Sequence, residues 1–448
     1  MTGFETKLRA AGMSAVESAA KAALFEKLDR ELRRMCAPAT THKHSAFFVP
    51  GRLEFLGKHT DYAGGRSIVC AIERGICLVA APRIDAQIQI LDVGRASSVD
   101  LPLDAHVEPS PGHWSNFPMT VAARLKRDFP GTQTGANIFF ASDLPRASGM
   151  SSSSALVIAI FFALAQVNSL WQADAYRRAF ATREDLAGYI AAIESGARFA
   201  AFAGGRGVGT HGGSEDHVAI LCSRAGCLRQ CSFWPIRLEK EIGFPRDHAL
   251  VIGASGVKAD KTGDAREAYN RASGAARKIL QLWQIATGRS DPSLAAALAQ
   301  PSAAERLPQI LRDSGDATYP VDVLLRRLTQ FSEESNEIIP AAADALDRRD
   351  LARLGQLVDR SQSLAESCLE NQVPETIALA RSARELGAVA ASAFGAGFGG
   401  SVWALTQASR AEEFRQAWEA HYHRHFPERA GESCFFLACP GPGLIQLA

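Results

Sequence analysis

Residues 51–65 form the first of three segments whose side chains could do chemistry. The segment reads GRLEFLGKHTDYAGG and places arginine, glutamate, lysine, histidine and aspartate between glycines. Each hydroxyl of a sugar can donate and accept a hydrogen bond, so a segment this rich in donors and acceptors suits a polyhydroxylated ligand. Taken alone, the same composition also fits an ordinary solvated loop.

The second segment, Leu144–Leu156, reads LPRASGMSSSSAL and has the composition of a phosphate-binding loop. Gly149 permits a tight turn, and the serines that follow open a helix with an apolar body. The N-terminus of a helix presents free N–H groups and the positive end of the helix dipole, which favour a phosphate. Serine hydroxyls add donors and can bind Mg²⁺. A serine-capped core helix without a ligand is the alternative.

The third segment, Phe394–Ser401, reads FGAGFGGS and runs into an apolar stretch. Its glycines permit positive φ angles and a close approach of the backbone to other groups. By itself such a run indicates a turn more often than a binding site. The sequence contains no GxxxxGK[ST] loop and no protein-kinase HRD or DFG set, so a bound nucleotide would need a loop of another kind.

Length and composition set limits on the function. The chain has 448 residues, 47% of them hydrophobic and 22% charged, as expected for a folded protein of two domains. A net charge of +1 gives no overall attraction to nucleic acid or an anionic membrane. The most hydrophobic stretch, Ala155–Val167, is too short to cross a bilayer. No secretory signal is recognisable at the start of the sequence, so we expect a cytoplasmic protein.

The nine cysteines are odd in number and scattered along the chain, which favours reduced thiols in a cytoplasmic protein. Cys222, Cys227 and Cys231 lie close together, but no second ligand pair follows at the spacing of a zinc site. We therefore expect apolar, buried thiols at these positions.

Apolar periodicity and turn residues predict the secondary structure. We expect helices over Ala15–Met35, after Gly149, over Leu186–Phe202, over most of residues 255–386 and over Ala411–His425. We expect strands at Phe47–Val49, within Ser67–Ala81, at Ala136–Ala141, Val218–Cys222 and His248–Ala254, and at Ser401–Leu405 and Ser433–Cys439. A flexible loop is expected at Gly204–Gly209. Because strands and helices occur in blocks, the sequence predicts an α+β fold.

Together, in this order, the three segments resemble the three motifs of the GHMP small-molecule kinases. The first is similar to the signature of the galactokinase-like branch, GR-x-N-L-I-G-E-H-T-D-Y-N-x-G. The second resembles the phosphate loop P-x-x-x-G-L-S-S-S-A, and the third resembles GGGFGG. The resemblance covers nearly all of the chain after residue 45.

This resemblance implies a two-lobed α+β fold with the active site in the cleft between the lobes. Residues 1–240 would form an N-terminal lobe like domain 2 of ribosomal protein S5, with residues 1–45 as a helical extension. Residues 241–448 would form a ferredoxin-like C-terminal lobe. The resemblance further implies an ATP- and Mg²⁺-dependent sugar 1-kinase, monomeric or homodimeric, that acts on galactose or a related sugar.

The resemblance also assigns candidate site residues. Asp216 matches the catalytic aspartate of a G-x-M-D-Q segment, and Arg52 matches the arginine beside it. Glu194, with Ser151 or Ser152, matches the Mg²⁺ ligands. The sugar-contacting positions correspond to Lys58, His59, Asp61, Gly64 and Tyr269. The ATP loop corresponds to Ser148, Gly149, Met150, Ser151, Ser152 and Ser153, and the structural glycines to Gly395, Gly397, Gly399 and Gly400.

Two departures from the family pattern affect the expected substrate. Lys58 stands where galactokinase-like enzymes carry a sugar-binding glutamate, and Glu54 stands where they carry asparagine. Either the two residues pair with each other, or Lys58 meets a negative group on the substrate, such as the carboxylate of an acidic sugar. We therefore expect specificity for a sugar other than galactose. The chain between Glu194 and Asp216 is also longer than is usual in this branch.

Two other functions stay open at this point. The chain could be a GHMP kinase for a small alcohol that is not a sugar, although the HTDY run at residues 59–62 favours the galactokinase-like branch. It could also be a catalytically silent relative that senses a sugar, an alternative that the substitution at Lys58 keeps open. The intact Asp216 and the serine-rich loop favour an enzyme.

Overall fold

The computed structural model describes residues 3–36, 44–106, 113–145, 147–259 and 264–448. Within these residues, the strands form one sheet of nine strands and one of four. Helices cover both sheets and fill the space between them. We describe the large sheet first, because it carries most of the candidate site.

The first half of the chain builds the large sheet and its helices. Its elements are α1 (Gly3–Ala10), α2 (Ala15–Met35), β1 (Ser45–Leu56), β2 (Arg66–Pro82), β3 (Gln87–Asp92), β4 (Ser97–Pro102), α3 (Asn116–Asp128), β5 (Ala136–Ser142), α4 (Ser152–Val167), α5 (Asp174–Ala179), α6 (Arg183–Ser195), α7 (Glu215–Cys222), β6 (Cys227–Ser232) and β7 (Arg237–Gly243). The predicted helix Ala15–Met35 and the predicted helix after Gly149 are confirmed.

The second half is mainly helical and adds the small sheet. Its elements are β8 (His248–Ala254), α8 (Asp264–Thr287), α9 (Leu294–Leu298), α10 (Ala303–Asp313), α11 (Val321–Glu333), α12 (Ile339–Asp347), α13 (Leu351–Leu364), α14 (Pro374–Glu385), β9 (Ala390–Phe394), β10 (Ser401–Gln407), α15 (Ala411–His425), β11 (Cys434–Ala438), β12 (Pro440–Gly441) and β13 (Ile445–Gln446). Single π-helical turns, Glu334–Ile338 and Ala365–Leu369, follow α11 and α13.

Strands β1 and β2 form the antiparallel centre of the large sheet and are longer than the sequence predicted. The short strand Phe47–Val49 was expected to end at Pro50–Gly51, but β1 continues to Leu56. A shift in register between Pro50 and Arg52 lets the strand pass its proline, which cannot donate to a ladder. The second half of β1 therefore stays in the sheet and carries Arg52 and Glu54 to the candidate site.

Two other predicted elements differ from the structure. Val218–Cys222, predicted as a strand, belongs to helix α7. All five of these residues are buried, and a short apolar run buried on all sides has no periodicity that separates strand from helix. The helix predicted over Leu186–Phe202 ends at Ser195, because Gly196 follows with the left-handed conformation that commonly ends a helix.

The large sheet has the strand order β13-β1-β2-β5-β3-β4, with β6, β7 and β12 joined at one end of β2. Helix α4 packs on one face of this sheet, and its residues from Ala155 to Ala165 are buried almost throughout. Helix α2 covers the other face through Phe25, Leu28 and Leu32. The serine-rich turn before α4 is thereby fixed at one edge of a rigid core.

The small sheet has the order β11-β8-β10-β9 and is antiparallel. One face packs on α14 and α15, and the other shares a hydrophobic core with β1, β2, α12 and α13. In this shared core the rings of Phe55 and Trp403 stack with centroids 4.1 Å apart. Strands β12 and β13 return the chain to β2 and β1. The predicted α+β class is confirmed.

Helices α8 to α11 form a further hydrophobic cluster that includes Trp283 and also Ala63 of the first segment, residues 51–65. This cluster places α8 beside residues 59–64. Within the described residues, no helix combines the length and the apolar composition that crossing a membrane requires.

Candidate active site

A narrow cavity lies between the large sheet, the small sheet and helix α8, and acidic side chains line much of it. We call it the acidic cavity. Its walls include Arg52, Glu54, His59, Asp61, Gly149, Ser151, Ser154, Glu194, Thr210, Gly213, Glu215, Asp216, His217, Tyr269, Gly395 and Ala396. The structure thus brings residues from all three sequence segments into one cavity.

Arg52 and Asp216, the predicted catalytic residues, form an ion pair in this cavity. Arg52 Nε donates to Asp216 Oδ1 at 2.8 Å, and Arg52 Nη1 donates to the carbonyl of Gly149 at 2.8 Å. Burial opposes the charge on Arg52, but the carboxylates of Asp216, Glu215 and Glu54 outweigh burial and raise the pKa of the guanidinium. The guanidinium therefore connects the candidate base to the candidate phosphate loop.

Ser154 is a further partner of Asp216 that the sequence analysis did not single out. Its hydroxyl, in the first turn of α4, donates to Asp216 Oδ2 at 3.2 Å. Asp216 is itself the second residue of α7, where the N-terminal end of a helix favours a carboxylate. Both oxygens of Asp216 are oriented by neighbours. The run of four serines from Ser151 is the sequence feature from which Ser154 could have been predicted.

Glu54 and Glu215 place two more carboxyl groups against the guanidinium. Arg52 lies 3.6 Å from Glu54 and 3.4 Å from Glu215, and the hydroxyl of Ser67 donates to Glu215. Burial raises the pKa of both carboxyl groups. The nearby carboxyl groups of Glu54, Asp61 and Asp216 raise the pKa of Glu215 further. This pair therefore keeps a proton to higher pH than free carboxyl groups do.

Three residues predicted to contact a sugar line the acidic cavity. Asp61 accepts hydrogen bonds from the backbone N–H groups of Tyr62 at 2.8 Å and Glu215 at 3.1 Å, and burial raises its pKa. The His59 ring lies 2.9 Å from the Tyr62 hydroxyl through Nδ1 and 5.0 Å between centroids from the ring of Tyr269. This wall offers ring faces, a carboxylate and a phenol to a ligand.

Lys58 lies outside the lining of the acidic cavity. Its side chain is 1% exposed, and Nζ donates to the hydroxyls of Ser392 at 2.6 Å and Ser361 at 3.2 Å. Ser361 in turn donates to Glu334 at 2.9 Å. Lys58 forms no direct ion pair with Glu54 in the described part of the chain. The lysine instead joins the first segment, residues 51–65, to α13 and β9.

Gly64, the remaining predicted sugar contact, does not line the cavity either. It follows the 3₁₀ turn Asp61–Ala63 with φ of 81°, and a Cβ at this position would lie 2.4 Å from the hydroxyl oxygen of Ser293. Gly64 thus shapes the turn that presents Asp61.

The serine-rich loop and the third glycine segment touch each other through their backbones. A Cβ on Gly395 would lie 2.9 Å from the carbonyl oxygen of Gly149, and one on Gly149 would lie 3.1 Å from the carbonyl oxygen of Phe394. Both glycines have positive φ, as do Gly397, Gly399 and Gly400. The two segments can pack this closely because these positions have no side chain.

The members of the serine-rich loop have different surroundings. Ser148 faces the protein, since its hydroxyl donates to the carbonyl of Pro145 at 2.8 Å, and Met150 is buried. Ser151 precedes α4 with φ of 58° and ψ of 38°. Ser151, Ser152 and Ser153 line a second cavity at the N-terminus of α4. These three serines and the N–H groups of the helix can donate to a phosphate.

This second cavity has a volume of about 670 Å³, and we call it the aromatic cavity. Trp114, Phe117 and Phe140 supply its aromatic surface, and Arg95, Arg206 and Arg266 line it as well. None of these six residues was predicted from the sequence. A tryptophan and a phenylalanine close to the start of α3 were the available signal, but aromatic residues there also fit a core position.

The two cavities meet at Gly149, Ser151, Thr210 and Ala259, which line both. A group bound at the N-terminus of α4 therefore lies next to the Arg52–Asp216 pair. This arrangement suits the transfer of a phosphoryl group from a donor in one cavity to an acceptor in the other.

Glu194, predicted as a Mg²⁺ ligand, lies near the end of α6 and is 6% exposed. Its carboxylate is 3.2 Å from His217 Nε2, a contact without the geometry of a hydrogen bond. The two residues line the acidic cavity together with Ser151. Within the described residues, no three His, Cys, Asp or Glu side chains are grouped as a metal site.

Three family models match this chain. The GHMP kinases N terminal domain matches residues 116–223, and the GHMP kinases C terminal model matches residues 342–424. The galactokinase galactose-binding signature matches residues 39–82. Together, the matched ranges contain all three segments on which the sequence analysis relied.

Curated relatives and a solved structure agree with these matches. The chain is 27% identical over 389 residues to galactokinase from Roseiflexus sp. (strain RS-1), and this match covers 85% of this chain and 88% of the relative. It is 29% identical over 391 residues to galactokinase from Chloroflexus aggregans, and this match covers 84% of this chain and 87% of the relative. Its fold is similar to that of Lactococcus lactis galactokinase complexed with galactose, with a TM-score of 0.75, 22% identity, and 95% and 99% of the two chains covered.

Proposed function

We propose that this chain, which belongs to the GHMP kinases and to their galactokinase-like branch, is an ATP-dependent kinase. Its product would be a sugar 1-phosphate. The observation that carries the proposal is the Arg52–Asp216 ion pair of 2.8 Å, which adjoins the phosphate loop where the two cavities meet. A sugar in the acidic cavity would face a nucleotide in the aromatic cavity across this pair.

Asp216 is the group proposed to accept the proton of the sugar hydroxyl that attacks the phosphorus. Its two oxygens are held by Arg52 and Ser154, so the carboxylate is oriented before the substrate binds. Phosphoryl transfer passes through a loose transition state and makes little demand on its base, so positioning matters more than basicity. Arg52 adds positive charge beside the oxygens on which negative charge develops.

The aromatic cavity fits the nucleotide. Trp114 and Phe117 offer ring faces for stacking a base, and Ser151–Ser153 with the N-terminus of α4 offer donors to phosphates. Bound ATP would supply the phosphoryl group that is transferred. Arg95, Arg206 and Arg266 provide positive charge for a polyanion in the same cavity.

The residues present also fit Mg²⁺, which would offset the charge of the phosphates when bound. Mg²⁺ prefers oxygen ligands and is usually held by one or two carboxylates together with phosphate oxygens. Glu194 supplies a buried carboxylate, and Ser151 supplies a hydroxyl in the same cavity. Ser152, the other candidate, lines the aromatic cavity.

The charges of the acidic cavity favour a neutral sugar. Five residues with carboxyl groups line it: Glu54, Asp61, Glu194, Glu215 and Asp216. Arg52 also lines it, but this arginine is already paired with Asp216. Lys58 is held by two serines outside this lining, which disfavours its use as a partner for an acidic sugar. Glu54 places a carboxyl group where the family pattern has an amide, so we expect a hydroxyl pattern other than that of galactose.

A panel of sugars tests this proposal. Release of ADP is measured with neutral aldohexoses including galactose, with hexosamines and with hexuronic acids, and ³¹P NMR of the product identifies the phosphorylated position. We expect a neutral sugar to be converted to its 1-phosphate and hexuronic acids to be inert. Turnover of galactose far above all others would contradict the altered specificity. Sugar binding without transfer by the intact protein would instead favour a sensor.

A further inference from the structure

Of the glycine segment, residues 204–213 with the sequence GGRGVGTHGG, only Arg206 has a part in the function proposed above. Its Thr210 is nevertheless 4% exposed and lines both cavities. It shares this position with Gly149 and Ser151 of the phosphate loop. A phosphoryl group that moves from the aromatic to the acidic cavity would therefore pass beside Thr210.

Hydrogen bonds fix the backbone on both sides of Thr210. The N–H of Val208 donates to the carbonyl of Glu194 at 2.8 Å, and the N–H of His211 donates to Asn270 Oδ1 at 3.1 Å. The side-chain amide of Asn270 also donates to the carbonyl that precedes Thr210, at 3.2 Å. Thr210 is thus anchored to α6 on one side and to α8 on the other.

The two ends of the glycine segment are anchored as well. The guanidinium of Arg127 donates to the carbonyls of Ala203 at 2.6 Å and Gly204 at 3.1 Å. At the other end, a Cβ on Gly213 would lie 2.3 Å from a carboxylate oxygen of Asp61. The segment is therefore built into the wall of the site, although its composition alone predicts a flexible loop.

In the part of the chain that the structure describes, no residue forms a hydrogen bond with the Thr210 hydroxyl. Thr210 lines both cavities, so a ligand bound at their junction would supply the hydrogen-bond partner that a hydroxyl group normally has.

We propose that Thr210 is a phosphate-contacting residue whose hydroxyl donates a hydrogen bond to the terminal phosphoryl group of the bound nucleoside triphosphate. This inference rests on the proposed function, since a kinase places that group at the junction of the cavities. The contact holds the phosphoryl group opposite Asp216 and stabilises charge on its equatorial oxygens during transfer. A diphosphate has no group at this point and makes no such contact.

Nucleotide binding without any sugar tests this contact. Dissociation constants for the Mg²⁺ complexes of AMP-PNP and ADP are measured by calorimetry for the wild type, Thr210→Val and Thr210→Ser. We expect Thr210→Val to raise the dissociation constant of AMP-PNP about tenfold, because one hydrogen bond to a charged group is lost. The dissociation constant of ADP should not change. Thr210→Ser keeps the hydroxyl and should bind both nucleotides as the wild type does.

His211→Ala is the matched control, because His211 is the exposed neighbour of Thr210 and does not line either cavity. Equal binding of AMP-PNP by Thr210→Val and the wild type would overturn the inference, and so would equal weakening of both nucleotides. If Thr210→Val does not fold, Thr210→Ala replaces it. Failure to phosphorylate any sugar would contradict the proposed function, whereas these binding measurements decide the role of Thr210 separately.

Discussion

The acidic and aromatic cavities share four wall residues, yet their charges are opposite. The acidic cavity has five carboxyl-bearing residues and Arg52, whereas the aromatic cavity has Arg95, Arg206 and Arg266 with Asp92. Sugar hydroxyls are bound well by carboxylates, while a triphosphate needs cations and N–H donors. We infer from this difference that charge would sort the two proposed substrates, and that Arg52 would lie where the phosphoryl group is accepted among carboxylates.

The largest expected effect comes from removing the candidate base in the acidic cavity. Asp216→Asn keeps the size of the side chain but cannot accept the proton, so we expect kcat to fall by about 10²–10⁴-fold. Dissociation constants for ATP should stay near those of the wild type, because Asp216 does not line the aromatic cavity. Initial rates of ADP release and nucleotide calorimetry measure the two quantities.

Asp174→Asn provides a control for this substitution, since Asp174 is exposed and pairs with Arg177 at the surface. It should leave both quantities unchanged. A fully active Asp216→Asn enzyme would mean that Asp216 is not the base. Equal loss of nucleotide binding would mean that the two cavities are not separate in function.

The next effect should fall on the aromatic cavity alone. Trp114→Ala removes the largest ring of that cavity, and loss of base stacking is worth about 1–3 kcal/mol. We therefore expect the KM for ATP to rise about tenfold or more and the KM for the sugar to stay constant. Steady-state kinetics with each substrate varied in turn separate the two constants.

Trp171→Ala is the matched control, because Trp171 is 40% exposed and does not line either cavity. An unchanged KM for ATP in Trp114→Ala would place the base elsewhere. A rise in the KM for the sugar instead would reverse our assignment of the two cavities.

The sequence predicted the acidic cavity better than the aromatic one, for a physical reason. The resemblance to the GHMP kinase motifs assigned Arg52 and Asp216, and the residue types of the serine-rich loop themselves suit a phosphate. The aromatic cavity is built from Trp114, Arg206 and others scattered over distant elements, and their residue types equally fit a core or a surface. Only the folded chain brings such residues together.

Lys58 shows a second limit of sequence reasoning. Lys58 stands where the family pattern has a sugar-binding glutamate, so contact with the substrate or with Glu54 was expected. The chain turns sharply there, with φ of 126° at Gly57 and 59° at His59. The side chain therefore points to Ser361 and Ser392 while that of His59 lines the cavity.

A third prediction concerns this lysine. Lys58→Met removes two buried hydrogen bonds outside the cavity lining, so we expect the free energy of unfolding to fall by about 1–3 kcal/mol. The kcat/KM for neutral sugars should not change, and hexuronic acids should stay inert. Urea unfolding and the sugar panel measure these two outcomes. Loss of activity on an acidic sugar in this variant would show that Lys58 does bind a substrate carboxylate.

The smallest expected effect is a pH dependence caused by crowding of carboxyl groups in the acidic cavity. Burial, together with Glu54, Asp61 and Asp216, raises the pKa of Glu215 well above its usual value. Below pH of about 4, Glu215 is protonated in both the folded and unfolded chain and contributes no pH dependence. As pH rises, the unfolded chain releases this proton first, so the folded chain binds more protons and the free energy of unfolding falls.

Glu215→Gln removes this titration, so its free energy of unfolding should rise relative to that of the wild type as pH increases from about 4. The relative gain should level off above the raised pKa of Glu215. Urea unfolding of both proteins at a series of pH values gives the difference directly, and Glu413→Gln, at an exposed glutamate, is the control. A difference that is the same at every pH would show that Glu215 ionises normally in the folded chain, and the acidic cavity would then carry one more negative charge than we infer.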